Sequence, residues 1–261
     1  MEGLIEMAKL KIHSIFESIS GEGGGFPQGT WCKFIRLQGC NLNCSWCDTK
    51  TSHKMTLGEL MSVEKIVKSC EDSKYILITG GEPLLQRFGL YRLLQILVAQ
   101  GKHVQVETNG SCLIAPISQS ISSLVRPSIH WVIDYKCPSS GMSHKMLSVP
   151  ELARQIWDIL YQGQDRVYLK WVIADKTDLE FALNKIKQLN TMSGIQQLRI
   201  STATEQIALQ GEIIPHLISP LDGSGEKLKG IIEQIKQNPE YSKLLNSLIF
   251  SVQLHKLFNL P

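Results

Sequence analysis

The sequence predicts an α/β fold: a partial (βα) barrel of about six mostly parallel strands, with a short N-terminal and a C-terminal extension, and residues 1–261 forming one domain. Three observations carry that expectation. Short apolar runs alternate with helix-period segments along most of the chain. Several of those runs end in a Gly-, Thr- or Asn-bearing junction that leads into a helix, as strand-to-helix loops of parallel sheets do. The composition, 43% hydrophobic and 20% charged over 261 residues, is that of a globular chain long enough to bury a sizeable core.

Taken in order, Leu10 to Phe16 alternates weakly and predicts a short strand. Ser20 to Gly29 carries five glycines and a proline, so it is a loop. It reads equally as a flexible linker or, with Glu22 set between glycines, as a ligand-contacting loop. Cys32 to Leu37 predicts the strand that enters a cysteine-rich loop, Gly39 to Thr49. Ser62 caps a helix through Val63, Ile66, Val67 and Cys70. Tyr75 to Ile78 predicts a buried strand ending in Thr79-Gly80-Gly81-Glu82-Pro83. A helix follows from about Leu84 to Gln100, with Leu90, Leu93, Leu94 and Leu97 on one face and Gly101 as its stop. His103 to Glu107 is the next strand, closed by Thr108-Asn109-Gly110. The pattern then repeats: strand Trp131 to Tyr135, a loop from Lys136 to Gly141, and a helix opening at Pro150. Strand Val167 to Ile173, a helix from about Asp178 to Leu189 and strand Gln197 to Ser201 follow. A loop at Pro220 to Gly225, a helix over Glu226 to Gln237 and a strand over Leu248 to Gln253 complete the chain.

Bulk properties narrow the function classes. A net charge of +3 is too near balance to argue for nucleic acid or an anionic membrane surface as a partner. No apolar run approaches the ~20 residues that a membrane helix requires. The segment Met1-Glu2-Gly3-Leu4-Ile5-Glu6 lacks the basic-then-apolar layout of a secretory signal. Seven cysteines cannot all pair, and three of them cluster as ligands do in a reducing interior. A cytoplasmic protein is the expectation.

The chemistry collects in the loops that follow the strands. Cys40, Cys44 and Cys47 stand at C-x3-C-x2-C spacing, with Trp46 just before the last. Zinc sites usually take four ligands in paired short spacings. Three thiolates in one loop instead suit an iron–sulfur cluster that leaves one iron open to a substrate or cofactor. Structural zinc with a distant fourth ligand, or plain buried thiols, are the bland alternatives. Gly80 and Gly81 allow close backbone approach. Glu82 reads equally as charge complementarity toward a ligand or as a carboxylate at a helix start. Arg36 is either a solvated edge residue or a bidentate fork for a carboxylate. On a parallel barrel these loops share one rim.

The cysteine spacing resembles that of radical S-adenosylmethionine (SAM) enzymes, and the Gly-Gly-Glu-Pro turn one βα unit later strengthens the likeness. Four segments make the chain similar to the 7-carboxy-7-deazaguanine synthase (QueE) family: Ser18 to Gly23, Phe34 to Leu42, Cys44 to Thr49 and Thr79 to Gln86. Glu107 to Gly110 and Val252 to Lys256 add weaker support; the second half matches mainly in layout. The resemblance implies a radical SAM fold that converts 6-carboxy-5,6,7,8-tetrahydropterin to 7-carboxy-7-deazaguanine with loss of ammonia, on the route to queuosine and related deazapurines. It implies a [4Fe–4S] cluster on Cys40, Cys44 and Cys47, SAM, and Mg²⁺ on Thr49, for which the bland reading is a cap. It places Trp46, Asp48, Gly81 and the loop Cys137, Pro138, Ser139 at SAM. It places Ser20, Gly21, Glu22, Arg36, Thr79 and the terminal carboxylate of Pro261 at the pterin. Ser20 stands where the family has glutamine, a shorter side chain that reaches the pterin only through water. The family's Ser-Pro-Lys loop corresponds to Lys136 through Ser140, and Cys32, Cys70 and Cys112 carry no family role. The resemblance further implies a homodimer and an electron donor such as flavodoxin or ferredoxin. Two rivals are a radical SAM activase that installs a glycyl radical on a partner protein, and a metal-stabilised binding module.

Overall fold

Successive side chains of a strand point to opposite faces of its sheet, and here one face is apolar while the other turns polar towards the strand ends. The computed structural model describes residues 8–21, 23–114, 116–117, 128–161, 165–192, 214–221, 224–252 and 254. Glu22, Pro261 and the expected strand Gln197 to Ser201 lie outside the described residues. The strands are β1 (Lys9–Ile19), β2 (Trp31–Leu37), β3 (Glu59–Ser62), β4 (Tyr75–Gly80), β5 (His103–Thr108), β6 (Ile129–Asp134), β7 (Arg166–Ile173), β8 (His216–Pro220) and β9 (Leu248–Phe250). The helices are α1 (Val63–Lys68), α2 (Arg87–Ala99), α3 (Val149–Tyr161), α4 (Lys176–Met192) and α5 (Gly225–Gln237).

They form one sheet in the order β3-β1-β2-β4-β5-β6-β7-β8-β9. From β2 through β9 every neighbouring pair in that order is parallel. The long β1 pairs antiparallel with β2 on one side and with β3 on the other. The parallel part therefore holds seven described strands, close to the expected six, and two antiparallel strands extend one edge. An open, mostly parallel sheet of this kind is a barrel left incomplete.

On the outer face Ile76, Ile78, Val104, Val106, Trp131 and Trp171 pack against Leu90, Leu94, Ile156 and Ile186 of the helices in one continuous core. Each such aliphatic side chain contributes ~1.5–3 kcal/mol by leaving water. Ser62 caps α1 as expected, its hydroxyl accepting from Lys65 N at 3.3 Å. The long helix expected from Leu84 begins instead as a 3-10 turn over Pro83–Gln86, and the α-helix starts at Arg87.

The inner face is filled from below by the glycine-rich segment. Phe26 is buried, with its ring edge-on to Tyr75 at 5.2 Å. The Gly25 N–H donates to Gln105 Oε1 at 2.9 Å, and a Cβ at Gly25 would lie 2.0 Å from the His130 ring. The segment is thus a packed floor under the concave face, not a linker. Its start meets the last described residues: Leu254 N donates to Gly21 O at 2.9 Å and Gly23 N to Ser251 Oγ at 3.3 Å.

At the start of β8, a strand that the sequence did not reveal, His216 is buried and accepts from the Trp171 indole N–H at 3.4 Å. Burial pushes its pKa down to about 4. The unfolded chain, with an ordinary imidazole near ~6.5, therefore binds the proton first as pH falls. Stability is complete above that value and declines as pH drops towards 4. From pH 7 to pH 5 this group alone removes about 2 kcal/mol. His216→Gln, which keeps an acceptor for Trp171, is expected to flatten that part of the pH dependence in anaerobic denaturant titrations.

Candidate active site

Past β2 the chain turns at Gly39, whose φ of +99° favours glycine, and enters the cysteine loop. The loop is held on two sides. On one, Gly39 N donates to Ser52 O at 2.6 Å and Cys40 N to His53 O at 3.0 Å, while the Gln38 amide bridges the Thr51 and Lys54 carbonyls, each at 2.9 Å. On the other, Ser45 donates through N and Oγ to the carbonyls of Ser140 and Ser139. The Trp46 indole N–H donates to Ser139 Oγ at 3.2 Å, and Ser139 N donates to the Asp178 carboxylate at 2.9 Å. The cysteine loop is thereby buckled to the loop after β6, which is pinned to the first turn of α4.

Cys40, Cys44 and Cys47 all line one cavity above the floor. Burial pushes the Cys40 and Cys44 thiols up, and Cys47 adds to both shifts through its charge. The three sulfurs thus share one electrostatic neighbourhood. Among the described residues no three His, Cys, Asp or Glu side chains gather as the ligands of a single ion would. Hydrogen bonds already point at the sulfurs: Leu42 N to Cys40 at 3.5 Å, Asn109 Nδ2 to Cys40 at 3.8 Å, and a 3.2 Å contact between His53 Nε2 and Cys47. The Lys136 ammonium favours the Cys44 thiolate. These surroundings fit thiolate ligands of an iron–sulfur cluster, whose binding would release the thiol protons.

The rest of the wall comes from the last inward positions of successive strands. Arg36 lies beside Thr79 in the β2–β4 register and rests on the Phe16 ring, 5.0 Å from its centroid. Burial lowers its pKa, while Asp48 and Glu107 hold it cationic. Thr79 Oγ1 and Gln105 Nε2 both donate to Glu107, at 3.1 and 3.2 Å. Asp134 and Lys170 face each other across β6 and β7. The Asp134 carboxylate sits 2.8 Å from Lys136 and 3.5 Å from Lys170, and these two cations hold it below its usual range despite burial. Lys136 also lies 5.0 Å over the Trp46 ring.

Of the expected residues, Gly21, Arg36, Trp46, Asp48, Thr49, Thr79 and Gly81 come together on this cavity with the three cysteines. Thr49 does not cap the turn that follows it; its hydroxyl donates to Asp48 Oδ1 at 2.9 Å. Ser20 is fully buried beside the cavity, its N–H donating to Thr30 O at 2.7 Å. Cys137, Pro138 and Ser139 stand one layer back, Ser139 holding Trp46. Glu82 is resolved as a strut: it is completely buried and accepts from Leu84 N, Asn109 N and Thr108 Oγ1. Cys32 and Cys70 are buried thiols, Cys32 pushed up to about 12 by burial, and Cys112 is half-buried near Asn41. Sequence reasoning missed Asp134, Lys170 and His53 on the cavity wall and gave Glu107, in a segment it had noted, no role of its own. For Asp134, Lys170 and Glu107 a signal was there: a charge inside an otherwise apolar strand, at the parity of Arg36 and Thr79.

Residues 34–120 match the model of the Radical SAM superfamily. A 7-carboxy-7-deazaguanine synthase of Methanospirillum hungatei is 36% identical over 177 residues, 66% of this chain and 65% of that protein. One from Koribacter versatilis is 32% identical over 219 residues, 82% of this chain and 87% of that protein. The crystal structure of QueE from Escherichia coli superposes with a TM-score of 0.59 at 18% identity, covering 96% of this chain and 97% of that one, which supports the fold. The chain belongs to the 7-carboxy-7-deazaguanine synthase family of radical SAM enzymes.

Proposed function

We propose that the chain converts 6-carboxy-5,6,7,8-tetrahydropterin to 7-carboxy-7-deazaguanine and ammonia, as one radical SAM domain acting as a cytoplasmic homodimer with a flavodoxin- or ferredoxin-type electron donor. The observation that carries this reading is that three cysteines, a half-buried arginine and the Asp48–Thr49 pair meet on one cavity. When bound, the cluster and SAM supply the electron and the radical that removes a hydrogen atom from the pterin. Cys40, Cys44 and Cys47 would hold the cluster, leaving one iron for SAM. Trp46, fixed by Ser139 and covered by Lys136, would form one wall of the SAM site with Gly81 and Asp48. The Arg36 guanidinium, backed by Phe16, would take the pterin carboxylate as a bidentate partner. Thr79 and Gly21 would orient the ring. The hydrogen bond from Leu254 N to Gly21 O sets the last described residue beside the same wall and supports the proposal that Pro261 reaches the pterin. No described helix is long and apolar enough to cross a membrane.

Turnover by anaerobically reconstituted protein with the carboxytetrahydropterin, SAM, Mg²⁺ and reductant is the direct test. No deazaguanine product with a loaded cluster would overturn the reading. Thr49 supplies a sharper arm. Its hydroxyl is free to exchange the Asp48 carboxylate for a metal ion that keeps waters and shares substrate oxygens. Thr49→Ala is expected to keep cluster and SAM binding but lose ~10–100-fold or more in Mg²⁺-dependent turnover. Cys47→Ala should lose all three. Equal Mg²⁺ response in Thr49→Ala and wild type would remove the threonine from the metal site.

A further inference from the structure

We infer that His53 is a positioning residue of the iron–sulfur site: it donates a hydrogen bond from Nε2 to Cys47 Sγ and thereby raises the reduction potential of the cluster that Cys47 holds. The inference rests on the radical SAM reading and goes beyond it, because His53 is six residues past Cys47 and outside every motif that identified the chain.

The geometry has three parts. Nε2 lies 3.2 Å from Cys47 Sγ, within reach of a sulfur acceptor. The ring is carried by backbone fixed from both directions, since His53 O accepts from Cys40 N at 3.0 Å and His53 N donates to Lys50 O at 3.2 Å. Its neighbours are tied as well: the Gln38 amide bridges Thr51 O and Lys54 O, and Ser52 Oγ donates to Thr49 O at 2.8 Å. One residue therefore closes both ends of the cysteine loop, by its carbonyl at Cys40 and its ring at Cys47.

The direction of the bond follows from the chemistry. A thiolate bound to iron has no proton to give and can only accept. The tautomer with hydrogen on Nε2 is then the one that makes the contact, leaving Nδ1 as the acceptor nitrogen. Reduction adds one negative charge, spread in part onto the cysteine sulfurs. A hydrogen bond to sulfur is stronger to the more negative state, so it favours the reduced cluster. Of the contacts to the cluster thiols, this one is shorter than those made to Cys40 by Leu42 N at 3.5 Å and Asn109 Nδ2 at 3.8 Å. It is therefore the contact whose loss should move the potential most.

Redox titration of the reconstituted protein, followed by electron paramagnetic resonance of the reduced cluster, tests this without any turnover. His53→Leu keeps bulk and removes the donor; His53→Gln keeps an N–H within similar reach. In His53→Leu the reduced-to-oxidised ratio at a fixed potential is expected to fall about tenfold, a midpoint about 59 mV more negative for a one-electron couple. His53→Gln is expected to recover most of it. A loaded His53→Leu cluster with an unmoved midpoint overturns the assignment, as does a Gln variant shifted as far as the Leu variant. Pulsed resonance on wild-type protein with nitrogen-labelled histidine gives a second measurement, should His53→Leu fail to load. A weak nitrogen coupling to the reduced cluster that vanishes in His53→Gln is expected, and its absence in the wild type overturns the proposal. Failure of the wild type to take up iron and sulfide at all overturns the radical reading itself, which separates the two.

Discussion

Gly81→Ala is expected to cost the protein its cluster and lower turnover by ~10²-fold or more, a loss typical of misplacing reacting groups by about an ångström. A Cβ at this position would sit 2.1 Å from Gly39 O and 3.0 Å from Cys40 Cβ. Neither neighbour can swing aside. Gly39 O already accepts from Glu82 N at 2.7 Å, and Gly81 N donates to Leu37 O at 3.1 Å. The turn after β4 and the turn after β2 are thus zipped backbone to backbone, and the first cysteine stands on the zipper. A methyl group can be admitted only by opening it, which moves Cys40 away from Cys44 and Cys47. Iron and sulfide content after anaerobic reconstitution reads that displacement directly. Gly101→Ala is the control: nothing lies within 4 Å of a Cβ there, although its φ of +74° makes the residue strained, so it should lose some stability yet load its cluster. Full iron content in Gly81→Ala would mean that the two turns yield more easily than their hydrogen bonds indicate.

The zipper was half legible in the sequence. Gly80 and Gly81 signalled close approach, but the partner of that approach could not be read. The expected partner was SAM; what the structure places against Gly81 is Gly39 and Cys40. The reason is physical. Local pattern reports periodicity and turn chemistry, which located the helices and all but one of the described parallel strands to within a few residues. It does not report which loops touch after strands pair. β8 escaped because His216-Leu217-Ile218-Ser219-Pro220 is short, opens on a histidine and ends on a proline, so it looked like approach to a loop. The roles of Glu107, Asp134 and Lys170 escaped for another reason. A single charge in an apolar strand is visible, but only the parallel register, Asp134 opposite Lys170 and Arg36 opposite Thr79, shows that these charges face one cavity. His53 carried no signal at all. Nothing in Lys50-Thr51-Ser52-His53 distinguishes a ring that meets a cluster ligand from one in solvent.

Glu82 shows the same limit on a single residue, and its substitution carries the second large effect. Glu82→Gln is expected to destabilise the protein by ~1–3 kcal/mol, the usual cost of stranding a buried polar group. Oε1 accepts from Leu84 N at 2.9 Å and Thr108 Oγ1 at 2.8 Å, and Oε2 accepts from Asn109 N at 2.7 Å. All three partners donate, so an acceptor-only carboxylate satisfies them and an amide cannot. Whichever way the glutamine turns, its NH₂ meets at least one N–H or O–H, and only the Thr108 hydroxyl can reverse. Burial pushes the Glu82 pKa up, against these donors and the nearby Lys136 charge. What favours the ionised form at this site is the set of donors around it, not solvent. Glu82→Ala should cost ~3–5 kcal/mol, because it strands every donor and leaves a hole. The damage should reach the cysteines, since the Asn109 that Glu82 anchors donates to Asn41 Oδ1 at 3.0 Å and to Cys40 Sγ at 3.8 Å. Anaerobic denaturation midpoints and iron content are to be measured together. Loss of both in Glu82→Gln places the carboxylate between the turns after β4 and β5, as a strut under the cluster. Unchanged stability with impaired SAM binding would instead make it a charge presented to the ligand, which is the reading its three buried donors argue against.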